Sequence, residues 1–456
     1  MRIDKISDFS RDRLSFDEMD EGFTTKEAIN EAKRCLNCPK PLCRTGCPIE
    51  NEIPGFIQAL AKGNIGEANA IIAKRSNLPA VCGRVCPHEK QCEAACVLTK
   101  KGNGIKIGKL ERFIADFDAE MGITTLRKGA GEKGKVAVIG SGPAGLTVAG
   151  DLAKEGFLVT VFEGQSEPGG VLLYGIPDFR LNKEVVRREI QRIERLGVIF
   201  QTGVFVGRDV TVDQLMDQGF DAVFIGTGTA LPRELMLPGK DLTGIVQATY
   251  LLGMTALFNR GSLDRSEVPV NPGDKVVVIG AGNVAIDAAR TALRFGAASV
   301  TVVYRSTEDD ITALRSEYEH ACKEGVHFRW LVNPVGYEGQ SEVSGLRVAL
   351  QEKTDEGNLQ RTGQEDLIPA SKVVLAVGQR PAARIVSTTS GIDIDCKGYV
   401  VTKERPYGMT TRRGVFAGGD VVHEPATVVL AMKEAKKVAA GIAQYVDAKK
   451  LLEECE

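Results

Sequence analysis

Two stretches of the chain share one pattern: KVAVIGSGPAGLTVAGDLAKEG from Lys135 and KVVVIGAGNVAIDAARTALRFG from Lys275. Each passes from an unbroken apolar run through a glycine turn into an amphipathic helix. The Val/Ile runs do not alternate with polar residues, so the strands are expected to be buried on both faces, as in a parallel sheet. In Gly140-Ser-Gly142-Pro143-Ala144-Gly145 the first glycine makes the turn and the second lets the backbone approach a pyrophosphate. The third permits close helix–strand packing, and the helix N-terminus faces the phosphates. The next strand, LVTVF, leads to Glu163, where a carboxylate accepts ribose hydroxyl bonds. The second loop, Gly280-Ala-Gly282-Asn283-Val284-Ala285, has alanine at its third small position. Its next strand, SVTVVYRS, lacks the acid and ends at Arg305 and Ser306. An arginine there suits a 2′-phosphate and favours NADP(H), whereas the following Glu308, Asp309 and Asp310 argue against it. A duplicated dinucleotide loop in 456 residues, at roughly 150 residues per domain, predicts an α/β chain of about three domains.

Eight of the eleven cysteines precede these loops, in Cys35-x2-Cys38-x4-Cys43-x3-Cys47-Pro48 and Cys82-x3-Cys86-Pro87-x4-Cys92-x3-Cys96. The region to about residue 125 is read as helical from the periodicity of TTKEAINEAKRCL and GFIQALAKGNIGEANAII. RKGAGEKGK, from Arg127, reads as a linker. The charged start, MRIDKISDFSRDRLSFDEMDEG, is no signal peptide, and no window approaches the roughly 18 apolar residues of a membrane span. A cytoplasmic location follows, where thiols stay reduced and serve metals or redox chemistry. With 58 basic and 60 acidic residues, no global field points to nucleic acid or membrane.

Two tetrahedral zinc sites could use eight thiolates, but zinc ribbons separate two C-x2-C pairs. Four-member groups with a Cys-Pro are closer to the bacterial ferredoxin run, whose fourth cysteine ligates the other cluster. Cys35, Cys38 and Cys43 are therefore expected to hold one [4Fe–4S] cluster, completed by Cys96. Cys47 would cross to Cys86 and Cys92, with Cys82 or a non-cysteine residue as the fourth ligand. Cys322, Cys396 and Cys455 are read as structural or incidental, and His88 as a loop residue. The segment from Pro238 to Asp274 reads as a connection between the repeats. Near the end, GVFAGGDVV offers small residues for close approach to a flavin chain and Asp420 for a hydroxyl, and a helical pattern follows. Together the loops suggest a flavin handed a hydride by a nicotinamide, so no catalytic acid–base residue is required or assigned.

EAKRCLNC, LPAVCGRVCP, VAVIGSGPAGLTVAGDLA, GGVLLYGIPDFRL, GAGNVAIDAARTALR and GVFAGGDVV occur in that order over essentially the whole chain. This succession resembles the small (β) subunit family of NADPH-dependent glutamate synthase. The same module is similar to the N-terminal half of dihydropyrimidine dehydrogenase and to the large subunit of the NADH-dependent ferredoxin:NADP oxidoreductase. The resemblance implies a helical iron–sulfur domain followed by two Rossmann-like domains, arranged as in the flavin disulfide reductases. By it, residues 1–126 carry two [4Fe–4S] clusters, 127–240 with 385–456 carry FAD, and 241–384 carry NADPH. It implies FAD contacts near Gly169, Gly170, Gly175, Ile176, Pro177, Arg180, Gly419, Asp420 and Thr427, and adds Gly378 to the dinucleotide contacts. It also implies a Gln or Glu as the odd ligand of the second cluster. In IKIGKLERF that residue is Glu111, with Cys82 as the alternative. The family often has two arginines after the tyrosine, where this chain has Tyr304-Arg305-Ser306. The implied activity is NADPH oxidation, with electrons leaving through FAD and the clusters to a separate subunit. That partner would be the glutamate synthase large subunit or similar, in a hetero-oligomer. A bifurcating transhydrogenase or a pyrimidine reductase would supply other partners, and a zinc-stabilised interaction protein is a reading from another class.

Overall fold

The computed structural model describes residues 14–123, 129, 131–354, 356–382 and 384–455. The chain start through residue 13 and residues 124–128 and 130 of the linker region lie outside them. Ahead of the first loop come α1 (Thr25–Ala32), α2 (Leu42–Thr45), α3 (Ile53–Ala61), α4 (Ile65–Ala73), α5 (Pro79–Val85) and α6 (Ile107–Met121). Thr24 and Glu27 start α1 with a reciprocal capping box. GFIQALAKGNIGEANAII forms two helices, because Gly63 turns the chain at φ +78° and Asn64 caps α4. Their apolar faces meet in a core of Phe56, Leu60, Ile72, Leu110 and Ile114.

The chain continues through β1 (Lys135–Ile139), α7 (Pro143–Glu155), β2 (Leu158–Glu163), α8 (Val171–Tyr174), α9 (Lys183–Arg195), β3 (Ile199–Thr202), α10 (Val212–Asp217) and β4 (Ala222–Ile225). Next come β5 (Ile245–Gln247), α11 (Ala248–Asn259), β6 (Lys275–Ile279), α12 (Asn283–Arg294), β7 (Ser299–Val303), α13 (Arg315–Glu324) and β8 (His327–Arg329). They lead into β9 (Val332–Gly339), β10 (Val343–Lys353), β11 (Leu359–Pro369) and β12 (Lys372–Leu375). The last elements are α14 (Arg384–Ser387), β13 (Thr402–Glu404), β14 (Tyr407–Thr410), β15 (Val415–Ala417) and α15 (Val428–Glu453).

Contacts divide these elements into two compact units. The larger takes residues 19–173, 180–231 and 379–456, so the helical region clusters with the first Rossmann-like sheet. That sheet has the order β13-β14-β15-β4-β1-β2-β3, with β1 parallel to both β2 and β4. After Lys135 every residue of β1 is buried, as is all of β4, which explains their unbroken apolar runs. Polar contacts tie the helices to the sheet layer: Asn77 Nδ2 donates to Thr147 O (3.2 Å) and Asp151 Oδ1 (2.8 Å), and Ala80 N donates to Glu189 Oε1 (3.0 Å).

The smaller unit takes residues 174–179 and 232–378 with the described residues up to 18. Its parallel sheet has the order β5-β12-β6-β7-β8, beside an antiparallel sheet of β9-β10-β11. Pro238 to Asp274 is thus more than a connection: it supplies edge strand β5, paired with β12 at Val246↔Val374, and helix α11. A three-residue strand is too short to show periodicity. The unit is fixed by a buried ion cluster. Arg290, 1% exposed, and Arg294 both donate to the Glu324 carboxylate at 2.8–3.1 Å, and their guanidiniums lie 4.5 and 3.9 Å from the Phe179 ring. Burial opposes ionisation of Glu324, but the two arginines outweigh it and hold the carboxyl below its ordinary value. Glu324→Ala should therefore lose about 3–5 kcal/mol, by removing the carboxylate that two buried arginines share, and lower the thermal midpoint measured by circular dichroism.

Candidate functional site

The first cysteine group lies between α1 and α3. Asn37, at φ +47°, makes the tight turn between Cys35 and Cys38, a conformation asparagine tolerates. The two groups meet where Gly46 faces Ala95: a Cβ on Gly46 would stand 2.7 Å from that of Ala95. Cys35, Cys38, Cys43 and Cys96 consequently line one apolar cavity, open to solvent and walled by Ile53, Ile57 and Ile107. Burial raises the Cys35 thiol and pushes Cys43 up to about 11. Among the described residues no three His, Cys, Asp or Glu side chains converge as a single-ion site requires, and these four thiols stand round a space instead.

Cys47, Cys86 and Cys92 gather around Glu111. The Cys47 thiol is pushed up to about 11 by burial and then by the Glu111 charge, and Cys92 rises for the same two reasons. Cys86 is raised first by its hydrogen bond with Cys82, then by burial, with Glu111 contributing. Glu111 is 8% exposed on α6. Burial, and then the Glu189 charge, push its carboxyl up to about 8, and Asn51 Nδ2 donates to its Oε1 at 3.5 Å. This placement depends on Gly83, where an added Cβ would lie 2.5 Å from Arg112 N, so α5 and α6 touch beside Glu111. Cys82, beside Cys86, also contacts Met432 Sδ (3.6 Å) and Ser76 Oγ (3.9 Å). His88 opens a 3₁₀ turn, and burial lowers its ring to about 4, so it stays neutral. Soft thiols raised by burial around a cavity suit a bound electropositive iron–sulfur group, which makes thiolates favourable there.

The first dinucleotide loop closes as its glycines require. A Cβ on Gly145 would sit 1.9 Å from Gly140 O, whereas one on Gly142 would meet nothing within 4 Å. Gly142 caps α7 with no side-chain bond, leaving the backbone N–H groups of Ala144 and Gly145 to a ligand, while Leu146 N donates to Gly142 O (2.9 Å). Glu163 Oε2 accepts from Ser141 N (3.0 Å) and Ser141 Oγ, and Oε1 accepts from Gln165 N (2.8 Å), so the carboxylate also braces the loop. Ser141 Oγ in turn accepts from Gly169 N (2.8 Å), and a Cβ on Gly170 would lie 2.9 Å from Gly142 Cα. Gly419 approaches Ala144 as closely. Beyond it, burial pushes the Asp420 carboxyl up to about 6, and Thr427 Oγ1, at the N-cap of α15, is buried without a partner. An open glycine cradle, an uncapped helix and an orphan hydroxyl fit a dinucleotide such as FAD. Arg180 belongs to this unit, while Gly175, Ile176 and Pro177 group with the smaller one.

In the smaller unit Gly280 turns against Ala376 O, Gly282 caps α12 without a side-chain bond, and Ala285 is buried. Asn283 Oδ1 accepts from Leu314 N at 2.9 Å, Val284 is exposed, and Gly378 follows β12. Two of the three acids after Arg305 have local partners. Asp310 accepts from Ser306 Oγ and from Thr307 Oγ1 (2.6 Å), and Glu308 pairs with Arg315 (2.8 Å). Arg305 is exposed and, among the described residues, makes no ion pair. Periodicity and motif reading missed Ser141, Asn51 and Glu189, whose roles arise only in three dimensions; Gly46 and Gly83, inside the cysteine motifs, were the visible sign of close packing.

Comparison with known proteins matches residues 12–123 to the family described as dihydropyrimidine dehydrogenase domain II, 4Fe-4S cluster, and residues 134–435 to the pyridine nucleotide-disulphide oxidoreductases. The small chain of NADPH glutamate synthase from Halomonas elongata is 39% identical over 442 residues, covering 95% of this chain and 93% of its own. The Escherichia coli small chain is 36% identical over 95% of both chains. An NAD-dependent dihydropyrimidine dehydrogenase subunit of Escherichia coli is 33% identical over 94% of this chain and 97% of its own. Among solved structures, Mycobacterium tuberculosis FprA in complex with NADPH aligns at TM-score 0.57 and 22% identity over 71% of this chain and 87% of its own. Thermoplasma acidophilum thioredoxin reductase aligns at 0.51 and 21% over 68% and 97%. These two establish the flavin disulfide reductase-like fold alone. No helix among the described residues is long and apolar enough to cross a membrane.

The Glu111 carboxyl yields a pH test. Between the ordinary value of 4.5 and about 8 the folded state binds a proton that the unfolded chain has lost, so stability falls as pH rises through that window. Thermal scans of protein stripped of iron should show this fall, and Glu111→Gln should flatten it.

Proposed function

We propose a function that starts from kinship: the chain belongs to the glutamate synthase small-chain family, within the pyridine nucleotide-disulphide oxidoreductases. It is an NADPH-dependent oxidoreductase subunit that takes in reducing equivalents and delivers electrons to a separate acceptor subunit, the glutamate synthase large subunit or one like it. When bound, nicotinamide supplies a hydride, FAD divides it into single electrons, and two [4Fe–4S] clusters conduct them. The observation that carries this reading is the meeting of two distant cysteine groups around one cavity, in the unit that also holds an open dinucleotide cradle.

Residues 127–240 and 385–456 then carry FAD, residues 241–384 the nicotinamide cofactor, and the helical region the clusters. Gly140, Gly142 and Gly145 let the backbone reach the flavin's pyrophosphate, while Glu163, Asp420 and Thr427 bind its hydroxyls and chain. Gly280 and Gly282 do the same for the nicotinamide cofactor, and Arg305 selects its 2′-phosphate. Cys35, Cys38, Cys43 and Cys96 hold one cluster; Cys47, Cys86, Cys92 and Glu111 hold the other. The first cavity opens beside Leu36 and Leu42, 61% and 47% exposed, which suits an outlet to a partner protein. Kinship with a dihydropyrimidine dehydrogenase subunit favours a second reading, in which the acceptor is a pyrimidine-reducing subunit. Co-purification of the native partner separates the two.

Anaerobic titration with NADPH should bleach a flavin band near 450 nm, about the usual flavin maximum; a band that stays unbleached refutes the reading. Arg305→Ala should raise the KM for NADPH by roughly tenfold or more while leaving that for NADH unchanged, as steady-state reduction of ferricyanide would show.

A further inference from the structure

Cys82 differs from the other seven motif cysteines in what surrounds it. It sits one helical turn before Cys86, and Cys86 N donates to Cys82 O at 3.2 Å. Residues at this spacing lie one turn apart, which places the Cys82 side chain beside Cys86, whose thiol it raises. Cys82 is 2% exposed, and its Sγ donates to the Sδ of Met432, which is wholly buried on α15. Its freedom to move is small. Cys82 N donates to Leu78 O at 2.9 Å, its carbonyl accepts from His88, and the Gly83–Arg112 contact leaves α5 no room to slide. The Cys82 thiol therefore stands between two sulfur acceptors, Cys86 Sγ at the C-cap of its own helix and Met432 Sδ across the helix interface, with the Ser76 hydroxyl at 3.9 Å as its further neighbour.

We propose that Cys82 is a positioning residue, not an iron ligand: its S–H donates to the Cys86 sulfur once that sulfur is an iron-bound thiolate, in competition with Met432 Sδ. This rests on the cluster assignment above and goes beyond it. A thioether is a weak acceptor and a thiolate a charge-assisted one, so the proton favours Cys86 in the loaded protein. A donor to a cluster sulfur stabilises the more negative, reduced state and raises the potential. Met432 thereby becomes a determinant of cluster potential without touching a ligand. It lies on α15, whose N-cap, Thr427, belongs to the flavin-side cradle.

The test is a potentiometric titration of the anaerobically isolated holoprotein, followed by low-temperature electron paramagnetic resonance. Cys82→Ala should keep every cluster signal and move one midpoint to a more negative potential. Cys82→Ser, which keeps a donor, should bring it back toward the unmodified value. Met432→Leu removes the rival acceptor and should move the same midpoint the opposite way, to a more positive potential. Loss of one cluster signal in Cys82→Ala would make Cys82 a ligand and overturn the proposal. Unmoved midpoints in both Cys82→Ala and Met432→Leu would overturn it too. If Cys82→Ala does not fold, a Met432→Leu midpoint that stays put or turns negative is decisive. An unmodified protein with no cluster signal at all instead overturns the functional reading beneath it.

Discussion

Holding sulfur donors partly out of water is the constraint from which the larger unit follows. Burial is the leading cause of the raised Cys35, Cys43, Cys47 and Cys92 thiols, and it does the same to the Glu111 carboxyl. Neutral thiols pack as small apolar groups, so the helices can fold around them. Ionising them in place is unfavourable unless a positive centre joins them. The same walls that penalise free thiolates therefore reserve the site for a metal-containing group.

That arrangement needs helices closer together than ordinary side chains permit. Gly46 against Ala95 joins the two cysteine groups, and Gly83 against Arg112 brings Glu111 to Cys86 and Cys92. Asn77 and Glu189 then fasten the helical region to α7 and α9 of the first Rossmann-like sheet. The smaller unit solves a different problem. Its second loop hangs on α12, and α12 is fixed from within by Arg290 and Arg294 on Glu324. Each unit ends a buried parallel strand in a glycine turn and an uncapped helix, a geometry built for a phosphate-bearing ligand.

Much of this was legible in the residues. The paired strand–glycine–helix units announced their parallel sheets because strands buried on both faces need no alternation. The ferredoxin-like spacing pointed to Cys35, Cys38, Cys43 and Cys96 as one set, and those four do line one cavity. Other features left no local trace. β11 is almost wholly exposed, so nothing in its pattern marked the antiparallel sheet, and β5 is three residues long. The role of Ser141 between Glu163 and Gly169, and the Cys82–Met432 contact across 350 residues, exist only once the chain has folded. Spacing alone left Cys82 and a non-cysteine residue as rivals for one position; Glu111 lies near Cys47, Cys86 and Cys92, and Cys82 lies beside Cys86 and against the Met432 thioether.

Elemental analysis addresses the central claim most directly. Protein isolated without exposure to oxygen should contain about eight iron atoms and about eight acid-labile sulfides per chain, four of each for every [4Fe–4S] group. Zinc in their place, or thiols that all react freely with no inorganic sulfide released, would contradict the account.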